Sequence, residues 1–542
     1  MTEPAVTVVV AVYNTMPYLT ECLNSLVGQS IGLDRLEIVA VDDGSTDDSG
    51  QELDRFAARY PGTVKVIHQA NSGGPAAPSN RALEEATGRY VYFIGSDDYL
   101  GEEALERMVA CADEHQSDVV VGKMVGTNGR YVHQALYKKN DPDISLYDSA
   151  LPFTLANTKL FRRELVEKYG LRFPEHLPVG SDQPFTIEAC VRARKISVLA
   201  DYTYYYAVKR GDASNITYRA DHLARLRCTA EIMRHAAELI EAGPKRDAVF
   251  KRHFDWELSK LLLDDFPALD PAVRREVCAG IAALMDEYFT DGLRDATAVT
   301  RRVRFGLARC GAVDELCRAI TEEAEHGAPP FLLEGDRAFA PYPGFRDSAI
   351  GLPDRYFEVI GEAVPGRLAK HAELESAEWV QQGHDLSLAL AVRIGITGDT
   401  ASAVIGLAPK AMPKGAEKTG GRRLPVGTER PPVVGEFTRE TVQDGTRTLV
   451  RARIPVQPVK ARCAVRVYVD LAGSTYEIAV RTGGLPLPLA RRWGAVIPYR
   501  VAAHANPKGR MVVVTGPLWA SERRTGSRLR HLLSRLTKKV TR

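Results

Sequence analysis

From Val6 to Val12 the chain is apolar and mostly β-branched, the pattern of a strand buried on both faces. Past the polar turn at Tyr13, Asn14 and Thr15, and past Pro17, the period changes. Leu19, Cys22, Leu23, Leu26 and Val27 recur at helical spacing up to Gly28. Leu36 to Val41 predicts a second strand, which runs straight into the polar stretch Asp42–Asp48. Asp and Ser residues there are placed to cap a helix that buries Leu53, Phe56, Ala57 and Tyr60. Val64 to His68 predicts a third strand, then Asn71-Ser72-Gly73-Gly74-Pro75 turns the chain into a helix through Asn80, Ala82, Leu83 and Ala86. Tyr90 to Ile94 predicts a fourth strand, ended by Gly95 and Ser96, with Asp97 and Asp98 at its tip. Strands alternating with helices predict a mainly parallel sheet with right-handed crossovers. Ligands of such sheets bind outside the carboxyl ends of the strands.

Glu102 to His115 predicts a helix and Asp118 to Val121 a strand. Residues 126–140, rich in Gly, His, Lys and Arg, predict a mobile loop or a solvated surface loop that includes Arg130. Phe153 to Phe161 predicts entry into the sheet edge and a helix, and Ile196 to Tyr206 predicts one strand. After Tyr218, residues 223–239, 248–263, 271–289 and 298–325 show helical periodicity, and the Gly and Pro residues of 327–353 mark a boundary. Further on the period becomes two: Leu386, Leu388, Leu390, Val392, Ile394 and Ile396 alternate with small or polar residues. With short apolar runs at 447–454, 464–469, 476–480, 495–497 and 511–514 this predicts one or two β-sandwich modules. The expected division is therefore 1–222 (α/β), 223–360 (helical linker), 361–520 (β-rich) and 521–542 (tail).

Composition narrows this picture. A chain of 542 residues is too long for one core, and 45% hydrophobic with 26% charged residues is ordinary for a soluble globular protein. The formal charge of +2 by itself argues neither for nor against a nucleic-acid partner, and none is expected. Arg523 to Arg542 nevertheless carries eight basic and no acidic side chains, leaving a mildly acidic body. Leu529, Leu532, Leu533, Leu536 and Val540 line one face of that tail. Such a helix can lie on an anionic membrane surface, pack on the body or bind an anionic polymer. The eight cysteines form no CxxC or metal-ligand spacing, which fits a reducing compartment. The first apolar run is broken by Asn14 and Pro17, so a strand is expected there, not a signal peptide, and no run is long enough to span a membrane. The expected location is cytoplasmic, at most at the inner face of a membrane.

Two adjacent carboxylates at a strand tip repel unless a cation neutralises them. Val9-Val10-Ala11-Val12-Tyr13-Asn14, Val41-Asp42-Asp43-Gly44-Ser45-Thr46-Asp47, Asn71-Ser72-Gly73 and Ser96-Asp97-Asp98 together resemble the inverting, GT-A-fold glycosyltransferases that use nucleotide-diphosphate sugars. The resemblance covers residues 5–220. Gly74-Pro75 and Ser181-Asp182-Gln183-Pro184-Phe185 most resemble enzymes that glycosylate wall teichoic acids and related anionic polymers.

The resemblance implies a GT-A nucleotide-sugar domain acting on a cell-envelope polymer or lipid-linked acceptor. Asp43 would accept from the uracil imide N–H with Tyr13 beside the base, and Ala11, Asn71, Gly74, Asn80 and Ser96 would line the donor site. Asp97 would hold the ribose or join Asp98 in ligating Mn²⁺ or Mg²⁺. Asp182 would be the catalytic base, against the alternative that it only caps the helix through Phe185, Ile187 and Ala189. Lys209, Arg210 and Arg130 would meet the diphosphate or the acceptor. Ser181 stands where the family often has Glu, and Ser79 where it often has Arg, which favours a competing account of a non-catalytic sugar-nucleotide or polymer-binding scaffold. Enzymes of this type also carry β-rich modules that oligomerise, so a homo-oligomer through that region is expected alongside polymer binding. A nicotinamide-dependent oxidoreductase is excluded because Ala11 to Met16 contains no glycine.

Overall fold

The computed structural model describes residues 3–211, 221–360, 364–409, 412, 414–425, 434–442, 447–471, 473–493 and 498–517. The chain divides into two compact units, residues 1–297 and 298–542. The first unit runs β1 (Val6–Val12), α1 (Tyr18–Val27), β2 (Leu36–Asp42), α2 (Ser49–Arg59), β3 (Val64–His68), α3 (Ala76–Glu84), β4 (Tyr90–Gly95) and β5 (Tyr99–Leu100). It continues through α4 (Ala104–His115), β6 (Val119–Gly122), β7 (Met124–Thr127), β8 (Leu160–Arg162), α5 (Arg163–Lys168), α6 (Asp182–Arg192), β9 (Ile196–Leu199) and β10 (Tyr205–Val208). Helices α7 (His222–Leu239), α8 (Pro244–Arg252), α9 (Pro271–Tyr288) and α10 (Asp291–Ala296) complete it.

The main sheet has the order β3-β2-β1-β4-β8-β6-β9. β1 lies parallel to β2 and β4, and β2 to β3, while β8 is antiparallel to both its neighbours. Register sets Val12 beside Asp42, Asp42 beside His68 and Ala11 beside Gly95. Four strand tips thus share one edge. On one face Val8, Val10, Tyr92 and Ile94 pack with Leu19, Leu23, Leu26, Leu105 and Met108. On the other, Phe93 meets Phe161, Phe173 and Phe185 edge to face, with ring centroids 5.1–5.9 Å apart. Phe173 and Phe185 stack at 4.4 Å. That aromatic cluster fixes α6 over the sheet, a benefit of several large buried rings.

Several expectations need correction. Leu160–Arg162 enters the sheet between β4 and β6, not at its edge. The stretch 196–206 is two strands in different sheets, since β10 pairs with β5 and β7. The 126–140 loop begins inside β7. Residues 248–263 are not one helix: α8 ends at Arg252, followed by a π turn at His253–Leu258 and a 3₁₀ turn at Ser259–Leu262. Helices α7 to α10 lie within the first compact unit, which runs to residue 297.

In the second unit, 298–325 is two helices, α11 (Val299–Arg309) and α12 (Val313–His326). The expected boundary segment instead forms a hairpin, β11 (Phe331–Glu334) and β12 (Arg337–Phe339). After α13 (Val364–Lys370) the chain is β-rich: β13 (Glu373–Gln382), β14 (Asp385–Ile394), β15 (Ile396–Gly398), β16 (Val404–Ala408), β17 (Gly421–Arg423) and β18 (Glu436–Thr441). Then come β19 (Thr448–Pro455), β20 (Ala461–Leu471), β21 (Ser474–Ala479), β22 (Arg491–Trp493), β23 (Tyr499–Ala505) and β24 (Met511–Pro517). One sheet runs β13-β14-β19-β18, another β17-β21-β20-β24-β23-β22 with β16 on β20, and β15 joins the β11–β12 hairpin. The alternating Leu386 to Ile394 are all buried, and the expected run through Ile396 breaks at Gly395. The expected strand at 495–497 and the basic tail lie outside the described residues. Among the described residues no helix is long and apolar enough to cross a membrane.

Candidate active site

The loop after β1 and the loop after β2 are stitched together. Asn14 Oδ1 accepts from Thr46 N at 2.7 Å, Asn14 N donates to Ser45 Oγ at 3.1 Å, and Met16 N donates to Asp47 Oδ2 at 3.0 Å. Asp47, not Asp48, serves the start of α2, its Oδ1 accepting from Ser49 N at 2.9 Å. Ser96 Oγ lies 2.9 Å from Thr15 Oγ1, which ties the β4 tip to the same loop. Tyr13, 46% exposed, projects from this braced loop.

Gly44 has φ +73°, and a Cβ there would stand 2.7 Å from Asn71 N. Only glycine lets these two turns approach so closely. The approach brings Asp43 onto the loop after β3. Its Oδ1 accepts from Gln69 Nε2 at 2.6 Å and from Ser72 N at 3.1 Å, and its Oδ2 from Ser72 Oγ at 2.9 Å. Asp43 is buried, so it arranges the Asn71–Gly74 turn while standing at the β2 tip. Asn71 Oδ1 accepts from Gly73 N at 2.9 Å, and open space lies beside Gly74. Beneath it, Asp42 accepts from Ser45 N and faces His68 Nδ1 at 3.0 Å. Burial pushes Asp42 up, but the Ser45 and His68 hydrogen bonds outweigh it and hold the carboxyl below its usual range.

At the β4 tip the two acidic residues behave differently from one another. Asp98 is buried: Oδ1 accepts from Val208 N at 2.7 Å and from Arg130 Nη1 at 3.3 Å, and Oδ2 from Tyr205 Oη at 2.6 Å. Burial and then the neighbouring Asp97 raise it to about 6, against the pull of Arg130. Asp97 Oδ2 accepts from Arg210 Nε at 2.7 Å. Arg130 and Arg210 were expected on phosphate or acceptor; both here are counter-ions of the acidic pair, while Lys209 is exposed. A Cβ on Gly95 would stand 3.0 Å from Asp98 Oδ2 and 3.1 Å from Asp97 Oδ1. The pair thus forms an oxygen cradle over the glycine, and hard oxygen donors of this type fit Mn²⁺ or Mg²⁺. Among the described residues no cluster of three or more His, Cys, Asp or Glu forms a complete metal cage. An ion there would keep positions for ligands from outside the chain.

Asp182 opens α6, and a cavity of about 240 Å³ brings it together with Ala11, Ser79, Gly95, Asn157 and Gly180. The Phe173–Phe185 stack sets that helix, and Gly180 at φ +75° turns the chain into it. Burial pushes Asp182 up, opposed by the charges of Arg252 and Lys159. Lys159 is buried, with Nζ donating to Thr154 O at 2.5 Å and to Ala156 O; burial lowers it to about 8. Arg252 Nη1 donates to Gln183 Oε1 at 2.8 Å and pairs with Glu257 at 3.0 Å. No residue pattern in the sequence singled out Lys159 or Arg252; a lone lysine directly before an apolar pair was the one available signal. Asn80 does not line the cavity with a polar atom. Its amide Nδ2 donates to Phe173 O and Glu175 Oε1, both at 2.9 Å, and its Oδ1 accepts from Phe173 N at 2.9 Å. The expected donor contact of Asn80 is replaced by a clamp on the segment that leads to Asp182.

The structure therefore gathers Ala11, Gly95 and Asp182 around one cavity, with the Asp97 and Asp98 carboxylates close to Gly95. Glycosyl transferase family 2 matches residues 7–170, and the glycosyl transferase TarS linker domain matches residues 226–320. The poly(ribitol-phosphate) beta-glucosyltransferase of Bacillus spizizenii is 41% identical over 260 residues, which are 47% of this chain and 41% of that protein. The poly(ribitol-phosphate) beta-N-acetylglucosaminyltransferase TarS of Staphylococcus aureus is 43% identical over 203 residues, 38% of this chain and 35% of that protein. The chain thus spans about two fifths or less of these two relatives' own length. The crystal structure of S. aureus TarS 1–349 in complex with UDP-GlcNAc superposes with a TM-score of 0.56 at 30% identity, covering 66% of this chain and 99% of that one.

Proposed function

We propose that this chain, which belongs to glycosyltransferase family 2, moves a sugar from a UDP-linked donor to a hydroxyl of a poly(ribitol-phosphate)-type polymer, inverting the anomeric centre. The observation that carries the reading is the cavity shared by Ala11, Gly95 and Asp182, with Asp97 and Asp98 flanking the same glycine. An inverting displacement needs one carboxylate beside the acceptor hydroxyl and positive charge near the departing diphosphate. Asp182 takes the acceptor proton on its carboxylate. Lys159 and Arg252 oppose the effect of burial and favour its ionised form. The β1 and β2 loops seat the nucleotide, with Tyr13 beside the base and Asp43 holding the Asn71–Gly74 turn in register.

Asp97 and Asp98 would hold Mn²⁺ or Mg²⁺, which when bound supplies a Lewis acid for the diphosphate. Arg210 and Arg130, one hydrogen bond behind, bring further positive charge to that end of the cleft. The names of the relatives support glucose or N-acetylglucosamine as the transferred sugar and a ribitol-phosphate acceptor. Such work belongs on the cytoplasmic side, where nucleotide sugars are made. Asp182→Asn is the test: nucleotide binding by calorimetry should stay within about twofold, while transfer should fall about 10³-fold, the usual weight of a general base. Transfer at the wild-type rate would remove the assignment.

A further inference from the structure

In the second unit a cavity of about 500 Å³ is lined by Glu322, Glu323, His326, Tyr342, His371 and Arg447, with prolines completing its walls. Its acids are already spoken for. Glu322 pairs with Arg318 at 3.5 Å, and Glu323 with Arg304 at 3.1 Å. Glu323 also acts on the charge of Arg367, partly opposing the effect of burial on that guanidinium. Arg367 stands behind the wall, its Nη2 donating to Pro329 O at 2.9 Å and its guanidinium 4.4 Å from the Phe331 ring and 6.0 Å from that of Tyr342. Its Nη1 is buried with no hydrogen-bond partner. Among the described residues the Arg447 side chain has no recorded acceptor.

His371 joins these two. A Cβ on Gly395 would stand 2.8 Å from His371 Cβ and 3.1 Å from its Cγ, so the glycine lets the histidine lie against the β14–β15 junction. His371 and Arg447 line the same cavity, and burial, then the charges of Arg447 and Arg367, lower the histidine pKa. A buried guanidinium nitrogen without a partner is costly, and an arginine pair is well suited to phosphate oxygens. We infer that this cavity binds phosphodiester groups of a polyol-phosphate chain through Arg447 and His371, with Arg367 adding positive charge from behind the wall, as an anchoring site apart from the transfer site.

The inference rests on the polymer reading of the acceptor, and binding can be separated from transfer. Full-length protein is titrated calorimetrically at low salt, without donor, with a short polyol-phosphate oligomer and with the neutral polyol as control. The oligomer should bind and the neutral polyol should not. Arg447→Glu should weaken oligomer binding about tenfold, the effect of one lost hydrogen bond to a charged group, and Arg367→Met by less. Turnover of a single-repeat acceptor should stay unchanged. Arg447 is partly exposed at a strand entry, so its variant should melt with the wild type, and Arg447→Gln provides a second, milder case. Equal oligomer affinity in wild type, Arg447→Glu and Arg447→Gln overturns the inference, as does equal binding of the neutral polyol. If the oligomer binds through Arg447 but no donor yields transfer, the transferase reading fails and the anchoring site stands.

Discussion

The β4 tip and the start of α6 meet at one cavity through Gly95 and Asp182, yet the carboxylates of the two places are held by different means. Asp97 and Asp98 sit on a short strand and are neutralised by arginines from distant loops, with Arg130 38% and Arg210 15% exposed at the side chain. Asp182 sits on a helix locked by stacked phenylalanines, and the charges that oppose its burial come from the buried Lys159 and Arg252. Partly exposed guanidiniums can be exchanged for another cation or for a phosphate; buried ones are fixed parts of the structure. The first arrangement suits a site that must take up and release a charged ligand, the second a site that must hold its base ionised and in place until the proton is transferred. This contrast is the physical content of the proposed division of labour.

The sharpest break would come at the fixed end. Asp182→Asn should cost about 10³-fold in transfer with donor affinity kept. Next in size is the helix anchor. Phe185→Leu leaves a smaller side chain in the cluster of Phe93, Phe161 and Phe173, which should let the α6 start drift. A misplacement of roughly 1 Å can cost up to about 10²-fold in rate. Steady-state kinetics should show the loss in kcat more than in donor KM. A fall confined to donor KM would mean that α6 positions the donor and not the base.

The two ends also differ in how far the sequence revealed them. The carboxylates at strand tips were legible because a β-branched run followed by Asp-Asp-Gly or Ser-Asp-Asp fixes both the strand and its end. Asp182 was legible as a helix start, and the Ser181–Phe185 stretch as a resemblance. The counter-charges were not. Arg130 pairs with a residue 32 positions away and Arg210 with one 113 positions away, and nothing local marks either contact. The three-residue β8 was expected at the sheet edge and sits in its middle, because a strand so short carries no periodicity from which its place could be read. β13, with mostly exposed or half-buried positions, had no apolar alternation to read, whereas its neighbour β14 alternates clearly.

A smaller effect separates Lys159 from the exchangeable arginines. Burial lowers Lys159 to about 8 in the folded chain, below the usual lysine value near 10.4 of an unfolded one. Between those values the unfolded chain binds more protons, so stability should rise with pH from about 8 to about 10. Lys159→Met should abolish that rise in urea melts. The same change removes a positive charge that favours ionised Asp182, so the acid limb of the pH–rate profile should move to higher pH. An acid limb that stays in place would mean that Lys159 serves only the Thr154 and Ala156 carbonyls.

The smallest expected effect tests exchangeability itself. Arg210 Nε donates to Asp97 Oδ2 at 2.7 Å, so an incoming divalent cation must share Asp97 with a guanidinium or displace it. Arg210→Gln removes that competitor and should tighten Mn²⁺ binding to the nucleotide-free protein by up to about tenfold, equivalent to roughly 1.4 kcal/mol. The same variant removes positive charge from the diphosphate end, so nucleoside-diphosphate affinity in excess Mn²⁺ should weaken. Opposite signs for the two ligands are what an exchangeable counter-ion requires. If Arg210→Gln weakened both, Arg210 would be supporting the shape of the Asp97 site and not competing within it, and the contrast with the fixed charges around Asp182 would collapse.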